Sequence, residues 1–517
     1  MKKYYSIYPF LFALIPVLSL YNYNKELVNL KEIIIPAIIS LALTAVVFFI
    51  LLRQTKNQSK AVFLTAVFSI LFFSFSLFNE FSSSIFKLNY LGSLDYYLTL
   101  ALFLLLISAI YSLVCSYKKN FDTWHKYLFC LSFILIIFSI INTAYYFFSF
   151  RDVKLENEDV AIYLKDHKKE QNQNYPDIYY LIFDGHARSD VLRDLYNYDN
   201  QEFISFLQDT GFYVAENSLA NYPQTYLSIS STLNLSYLDK ISQQLGIDSD
   251  DRRVLTKLIK DNEVDRVLDR FGYTFVSTPS SWNLKPQAKT DLKIDINKGV
   301  SNFKSQLIDQ TPLRILFEIK SFSKKDEQKV LKIFDLIPKI ANIEGPTFNY
   351  SHILSPHPPF LFDKNGEILE NTNPQGVDGS HYFLATRASK EYYREKYVNQ
   401  LHYIDQRIKT LIENILSKYS SDNQPIIIIQ SDHGPGMQTD WESLENTNVK
   451  ERMSILNAYY VPESLKNKLY TSITPVNTFR LLFNDLFQMN LKLLDDKSYF
   501  TTWEKPFDFI EVSDSLK

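Results

Sequence analysis

Asp432 and His433 stand side by side, with Gly434 after them, at the end of a run of four isoleucines, Ile426–Ile429. A carboxylate oxygen and an imidazole nitrogen aimed at one point make half of a divalent-metal site. Four consecutive isoleucines bounded by Pro425 and Gly434 read as a short strand buried on both faces, as at the centre of a parallel sheet. The carboxyl end of such a strand is where open α/β sheets bind ligands. Taken alone, Asp-His-Gly suits a polar strand end equally well, so the other half of a site has to come from elsewhere in the chain.

Two further stretches supply candidates. Ile178–Phe183 is a second continuous apolar strand, ended by Asp184-Gly185 and followed by a segment, 189–196, that reads as a helix capped by Ser189. If the two strands are close neighbours in a parallel sheet, Asp184 and Asp432 face the same crevice; alone, Asp-Gly is an ordinary strand-ending turn. In Asn221–Asn234, Pro223 suits a helix start, and Leu227, Ser231 and Leu235 recur at helical spacing. Thr225 then lies in the first helical turn, near the positive end of the dipole, where anions bind. Metal coordination is one way to activate such a hydroxyl as a nucleophile; the alternative is a threonine that only caps the helix.

The elements that must position these residues follow from composition. The chain has 517 residues, is 46% hydrophobic and 15% aromatic, and carries a net charge of −3, which gives no electrostatic footing for nucleic-acid binding. Residues 1–150 hold five apolar runs of spanning length, about 4–20, 33–52, 61–78, 96–115 and 127–148, with no charged residue inside any of them. A single central charge would cost roughly 2.5–3.5 kcal/mol, so this pattern predicts a five-helix membrane anchor. With the N-terminus inside, the inner segments carry Lys2, Lys3, Arg53, Lys56, Lys60, Lys118, Lys119 and Lys126, against Lys25, Lys31 and Lys87 outside. That bias sets the N-terminus in the cytoplasm, and an odd number of spans puts the remainder on the outer face of a bacterial-type inner membrane. Intramembrane ionisable residues, the mark of most transport paths, are lacking from the runs. Residues 151–174 read as a juxtamembrane helix and linker, and 175–517 as one large extracytoplasmic domain. Both cysteines, Cys115 and Cys130, fall in the apolar part, so the outer domain has no disulfide.

A strand ending in Asp-Gly, a threonine opening a helix and a strand ending in Asp-His-Gly, in that order, resemble the alkaline phosphatase/sulfatase superfamily. Within it, Thr225-Tyr-Leu-Ser-Ile-Ser-Ser231 resembles the nucleophile region of membrane phosphoethanolamine transferases, and Ser351–Phe360 resembles a superfamily substrate-site motif. The anchor with an external domain is similar both to those enzymes and to lipoteichoic acid synthases. The resemblance covers nearly the whole chain. It implies that Asp184, Asp432 and His433 hold a metal, with Thr225 as ligand and nucleophile. Two departures accompany it. The Cys-x-Pro-x-Arg pattern of sulfatases is absent, Thr225 standing in its place with no arginine following. No histidine follows His433, whereas phosphoethanolamine transferases place one there, so the sequence supports one metal and leaves both a second metal and the donor group open.

Between the motifs, Tyr273–Ser277 and Thr347–His352 read as further strands. His357 sits in a loop stiffened by Pro356, Pro358 and Pro359, suited to binding a phosphoryl group or protonating a leaving oxygen. His352 and Trp282 are additional substrate-contact candidates, with core packing as the competing role for each. The region 451–462 reads as a strand leaving the site, 392–417 as a covering helix, and 478–487 as a helix near the C-terminus.

The fold expected is thus α/β, a mainly parallel central sheet flanked by helices, alkaline phosphatase-like, behind an all-α membrane domain. The activity expected is metal-dependent transfer of a substituted phosphoryl group through Thr225 to a lipid or envelope-glycan acceptor, with one Mn²⁺ or Zn²⁺. Hydrolysis of a phosphate or sulfate ester, and a catalytically degenerate binding protein of an envelope complex, are the alternatives.

Overall fold

The computed structural model describes residues 6–25, 28–86, 93–150, 153, 155, 157–166, 175–278, 292–293, 302–314, 325–369 and 377–516. The chain forms two compact units, one of Met1–Phe150 with Asn297–Phe322, the other of Arg151–Ile296 with Ser323–Lys517.

The second unit is built on a seven-stranded sheet. Its strands are β1 (Ile178–Phe183), β2 (Tyr213–Val214), β3 (Thr274–Ser277), β4 (Leu292–Lys293), β5 (Thr347–Ile353), β6 (Ile426–Gln430) and β7 (Asn457–Tyr460), in the order β2-β7-β6-β1-β5-β3-β4. The pairs β6-β1, β1-β5, β5-β3 and β3-β4 are parallel, while β7 runs antiparallel to β6 and β2 antiparallel to β7. Every residue of β1, β5 and β6 is buried, as their uninterrupted apolar or small-polar runs require of strands covered on both faces.

Alternation sorts those side chains into two cores. Ile178, Tyr180, Ile182, Ile426 and Ile428 pack on one face with Phe479 and Phe483 of the helix Pro475–Leu486 and with Val264, Val267 and Leu268 of the helix Glu263–Arg270. Tyr179, Leu181, Phe183, Ile427 and Ile429 pack on the other with Ile404, Ile408, Leu411 and Ile415 of the helix Lys390–Leu416. That 27-residue helix covers the sheet where the sequence predicts it, and Ser389 caps it by accepting from the Tyr392 amide at 3.2 Å. Within residues 151–174 a helix forms at Glu158–Asp166.

The first unit holds helices Tyr8–Asn24, Ile34–Thr55, Gln58–Phe73, Phe75–Phe86, Ser93–Ser116 and Asp122–Phe148. Three stretches, Leu30–Thr55, Tyr97–Ser116 and Asp122–Phe148, are long and apolar enough to cross a membrane, and the pair Gln58–Phe73 and Phe75–Ser82, bent by 62°, raises the count to four if taken as one span. Among the described residues the expected five spans are therefore three or four. The first apolar run yields a helix of only 17 residues, with Pro16 inside it. His125 joins three of the helices, meeting the Tyr8 hydroxyl at 2.9 Å and Ser59 Oγ at 2.7 Å. A short helix from beyond the anchor, Asn302–Asp309, also belongs to this unit: Phe303 and Leu307 pack with Val17 and Tyr21.

The central strand offers a test of the core. Ile428→Ala empties a site that is 1% exposed and should cost about 2–5 kcal/mol, lowering the denaturation midpoint of the full chain in detergent. Ile510→Ala, at a residue 41% exposed, should shift stability by less than about 0.5 kcal/mol in the same measurement.

Candidate metal centre and nucleophile

Parallel pairing assembles the centre. The register of β1 on β6 runs from Ile178 opposite Ile426 to Ile182 opposite Gln430, so both strands end at one level and Asp184 and Asp432 emerge together. Gly185, at φ +74°, turns the chain away after Asp184. Its amide donates to Asp432 Oδ1 at 3.3 Å, tying the two strand ends. Gly434 turns the other strand end within a confined space: its amide donates to the Arg452 carbonyl at 2.7 Å, and a Cβ there would overlap the Glu451 carbonyl oxygen.

Asp184, Asp432 and His433 are all buried, and one potential ligand atom from each lies within 4.8 Å of the others. Their bonding fits a cation. Neither carboxylate oxygen of Asp184 accepts a well-formed hydrogen bond, nor does Asp432 Oδ2. Buried carboxylate oxygens left this way are costly unless a positive charge faces them. His433 Nδ1 lies 2.9 Å from the Gly434 carbonyl, which can only accept, so Nδ1 carries the proton and Nε2 presents its lone pair to the carboxylates. Nε2 is 3.3 Å from Asp432 Oδ2 and 3.6 Å from Asp184 Oδ1. Burial, reinforced by the Arg452 charge, lowers the pKa of His433 and favours the neutral ring that a metal requires. Burial alone would raise the pKa of Asp184, but the positive field of His357 and the hydrogen-bonding contact of His352 hold it below the usual carboxylate range.

Thr225 joins this group. It opens the helix Thr225–Leu233, is 4% exposed, and its Oγ1 lies 3.0 Å from His433 Nε2. The helix starts there because Gln224, in an extended conformation, ends the preceding loop and is held by its side-chain amide on Thr501 Oγ1 and the Thr502 carbonyl, both at 3.0 Å. Farther along the helix, Thr232 bonds back to the Ser228 carbonyl at 2.9 Å.

The other expected contacts separate. His357 is buried beside the centre, its ring 6.1 Å from that of His433, with Nε2 3.7 Å from Asp378 Oδ2 and Nδ1 2.5 Å from the Pro358 carbonyl. Its amide is held by the Asp184 carbonyl at 2.9 Å, which fixes the proline-rich loop to the end of β1. His352, near the end of β5, places Nε2 3.2 Å from Asp184 Oδ2 and so faces a candidate ligand. Burial would lower its pKa, but the hydrogen bond and charge of Asp184 raise it on balance. Trp282 lies outside the described residues.

Two buried residues were not singled out from the sequence. Arg452, 2% exposed, lies between His433 and Asp378: its Nη1 reaches Asp378 Oδ2 at 2.7 Å and the Gly434 carbonyl at 2.9 Å, Nε reaches the Pro223 carbonyl at 2.8 Å, and Nη2 is 3.2 Å from His433 Nε2. The region 451–462 begins with the helix Val449–Met453, capped by Asn448 on the Glu451 amide at 3.2 Å, and only Asn457–Tyr460 forms a strand. Reading it all as strand hid Arg452 on the wrong element. Asp378 comes from a segment with no strand or motif around it; its Oδ1 accepts from the Tyr393 hydroxyl at 2.8 Å. Neither carries a distinctive signal in the sequence: Arg452 ends the charged run Lys450-Glu451-Arg452, and Asp378 stands at a helix start.

Comparison with known proteins agrees with this geometry in one respect. Residues 269–479 match the Sulfatase family, a stretch containing His357, Asp378, Asp432, His433 and Arg452 but neither Asp184 nor Thr225. No curated protein matches the chain. Among solved structures, the C-terminal periplasmic domain of EcEptC from Escherichia coli in complex with Zn is 15% identical, with 67% of this chain and 95% of that one covered at a TM-score of 0.43. The integral membrane lipooligosaccharide phosphoethanolamine transferase A from Neisseria meningitidis is 12% identical, with 93% and 94% covered at 0.40. A putative sulfatase from Bacteroides fragilis is 14% identical, with 63% and 77% covered at 0.36.

The centre predicts a metal-dependent protein. Asp432→Asn and His433→Ala should each lower the metal retained by the purified chain, read by elemental analysis, from about one ion per molecule to a small fraction of that. Far-ultraviolet circular dichroism should change little, because the substituted groups lie at the strand end and outside the two cores.

Proposed function

We propose that this chain, Sulfatase-like over residues 269–479, is a membrane-anchored transferase that passes a substituted phosphoryl group through Thr225 to a lipid or envelope-glycan acceptor. The observation that carries the reading is the Thr225 hydroxyl, 3.0 Å from His433 Nε2 at the start of a helix and beside two buried oxygens, Asp184 Oδ1 and Asp432 Oδ2, that accept no well-formed hydrogen bond. Asp184, Asp432, His433 and Thr225 would hold one divalent ion, Mn²⁺ or Zn²⁺ by donor type. Such an ion supplies Lewis acidity, lowering the pKa of a bound hydroxyl and drawing charge from phosphoryl oxygens.

The chain's own groups do the rest. Thr225 Oγ1 forms a bond to phosphorus as the bond to the departing alcohol breaks, and the acceptor hydroxyl later displaces Thr225. Helix-start amides favour the negative oxygens that gather there. His357 donates through Nδ1 to the Pro358 carbonyl, so Nε2 is the atom that exchanges protons. It protonates the departing alcohol in the first half and takes the acceptor's proton in the second. Thr225 gives its proton to solvent in the first half and regains one from solvent when it is displaced, so Thr225 and His357 both return to their starting states. Hydrolysis would differ only in water taking the acceptor's place, and the Sulfatase match keeps that reaction as the second reading.

The anchor bears on the substrate. With Tyr8–Asn24 taken as a further crossing beside the three long stretches and the bent pair, residues 175–517 would lie outside the cytoplasm. Tethering to the bilayer raises the effective concentration of a lipid-borne donor.

Two measurements test these assignments. With acceptor withheld, intact-mass spectrometry of the wild type should show an adduct of the donor's phosphoryl group on the peptide containing Thr225. Thr225→Ala should show none and lose turnover by about a thousandfold or more, while Thr225→Ser keeps part of it. A threonine that only caps its helix would instead cost about 1 kcal/mol of stability and leave turnover per folded molecule intact. For topology, protease added outside intact cells should cut between residues 151 and 175, giving a fragment visible on a denaturing gel. Cleavage there from the cytoplasmic side alone would overturn the orientation.

A further inference from the structure

Arg452 has more donors than its structural contacts use. A guanidinium carries five N–H bonds. Nε and Nη1 spend theirs on the Pro223 carbonyl, Asp378 Oδ2 and the Gly434 carbonyl, and the plane lies 4.8 Å from the ring centre of Trp441. These contacts fix the group at one edge and one face. The remaining edge, Nη2, meets a single partner among the described residues, His433 Nε2, at 3.2 Å.

That partner is already engaged. His433 Nε2 has one lone pair, because Nδ1 carries the ring proton for the Gly434 carbonyl, and the Thr225 hydroxyl approaches the same atom at 3.0 Å. Two donors thus converge on one acceptor. When a cation takes that lone pair, as the undonated oxygens of Asp184 and Asp432 beside it favour, Nη2 has no acceptor among the described residues. A buried guanidinium edge would then point, undonated, at a second positive charge. A purely structural arginine holding Asp378 and the Gly434 turn needs only Nε and Nη1, so it leaves this orientation unexplained. An anionic oxygen lying between the two positive groups removes both the lost hydrogen bond and the repulsion.

We infer that Arg452 is a substrate-binding residue whose Nη2 edge takes an oxygen of the phosphoryl group presented to Thr225. This rests on the reading of the centre as a phosphoryl site. The contact requires no covalent step: Arg452 donates hydrogen bonds and stays charged. Asp378 is then a positioning residue, setting the guanidinium with a contact of 2.7 Å while burial, opposed by the charges of His357 and Arg452, leaves its own pKa lowered. The arrangement gives the chain a fixed cation where no later histidine is available to bring a second metal.

The test uses the full chain in detergent, loaded with Mn²⁺ or Zn²⁺, and inorganic phosphate as the probe in calorimetry. Arg452→Lys keeps a charge near Asp378 but loses the planar edge, and Arg452→Met loses the charge. Each should weaken phosphate binding by about tenfold to a hundredfold while metal content stays at the wild-type level. In Arg452→Met, guanidinium at tens of millimolar should restore part of the affinity. The same loss should appear on a Thr225→Ala background, which separates this inference from the question of whether Thr225 forms the covalent ester. Phosphate affinity within twofold of wild type in a metal-replete Arg452→Lys protein would overturn the inference, as would a wild type that binds no phosphate at millimolar concentration. Should neither variant fold, a structure of the loaded wild type decides: phosphate against Nη2 supports the contact, and phosphate elsewhere in the pocket removes it.

Discussion

Two carboxylates buried at the ends of adjacent parallel strands are the constraint on which the centre depends. Asp184 and Asp432 leave three oxygens without well-formed hydrogen bonds, in surroundings where an uncompensated charge costs several kcal/mol. The sheet cannot relieve this by moving one of them, because the β1–β6 register is fixed by residues packed on both faces. A slip of one residue would send Ile427 and Ile429 into the wrong core. The protein answers with groups placed around the carboxylates to suit a cation and offset their charge: His352 on Asp184, His357 alongside and Arg452 beyond, with neutral His433 turning its lone pair inward. His433, His357 and Arg452 are each held by backbone carbonyls or a further carboxylate, so the pattern is set by the fold before any ligand arrives.

Much of this was readable in the sequence because it was local. Ile178–Phe183 with Asp184-Gly185, and Ile426–Ile429 with Asp432-His433-Gly434, each state a strand and its functional end within ten residues, and the structure makes the two strands neighbours. Thr225 was readable as the start of a helix, and it stands within hydrogen-bonding reach of His433. What was not readable came from elements that lack their own periodicity. Arg452 sits on a five-residue helix made by one Asn cap, too short to show helical spacing. Asp378 precedes Gly379, whose φ of +58° marks a turn, and no pattern connects it to a site 74 residues away. The span count went astray for a related reason. Hydropathy registers composition, whereas a helix of 17 residues containing Pro16, and a pair bent by 62°, differ in length and direction.

The same division applies to histidine. Of the chain's eight, four lie in or beside the centre or its supporting loop, and their ring nitrogens are committed differently. His433 and His357 each turn Nδ1 to a carbonyl one residue onward, leaving Nε2 for chemistry. His186 instead meets an oxygen at both nitrogens, the Ala187 carbonyl at 3.0 Å and Asp405 Oδ1 at 2.9 Å, a buried hydrogen-bonded brace for the turn after Asp184. Residue type alone does not distinguish these roles; the partner of the second nitrogen does.

The helix Asn302–Asp309 changes what assembly of this protein demands. The chain leaves the first unit after Phe150, returns at Asn297 and leaves again after Phe322. Tyr21 and Val17 meet Phe303 and Leu307, and Asn24 meets Gln306, 282 residues away along the chain. During synthesis the first helix is therefore made long before its packing partner, and the apolar unit is completed only after β1 to β4 have been translated. Biogenesis cannot run strictly from the N-terminus onward. A fragment begun at residue 151 would carry Phe303 and Leu307 without the surface that covers them, so severing the linker does not by itself yield a self-contained soluble enzyme.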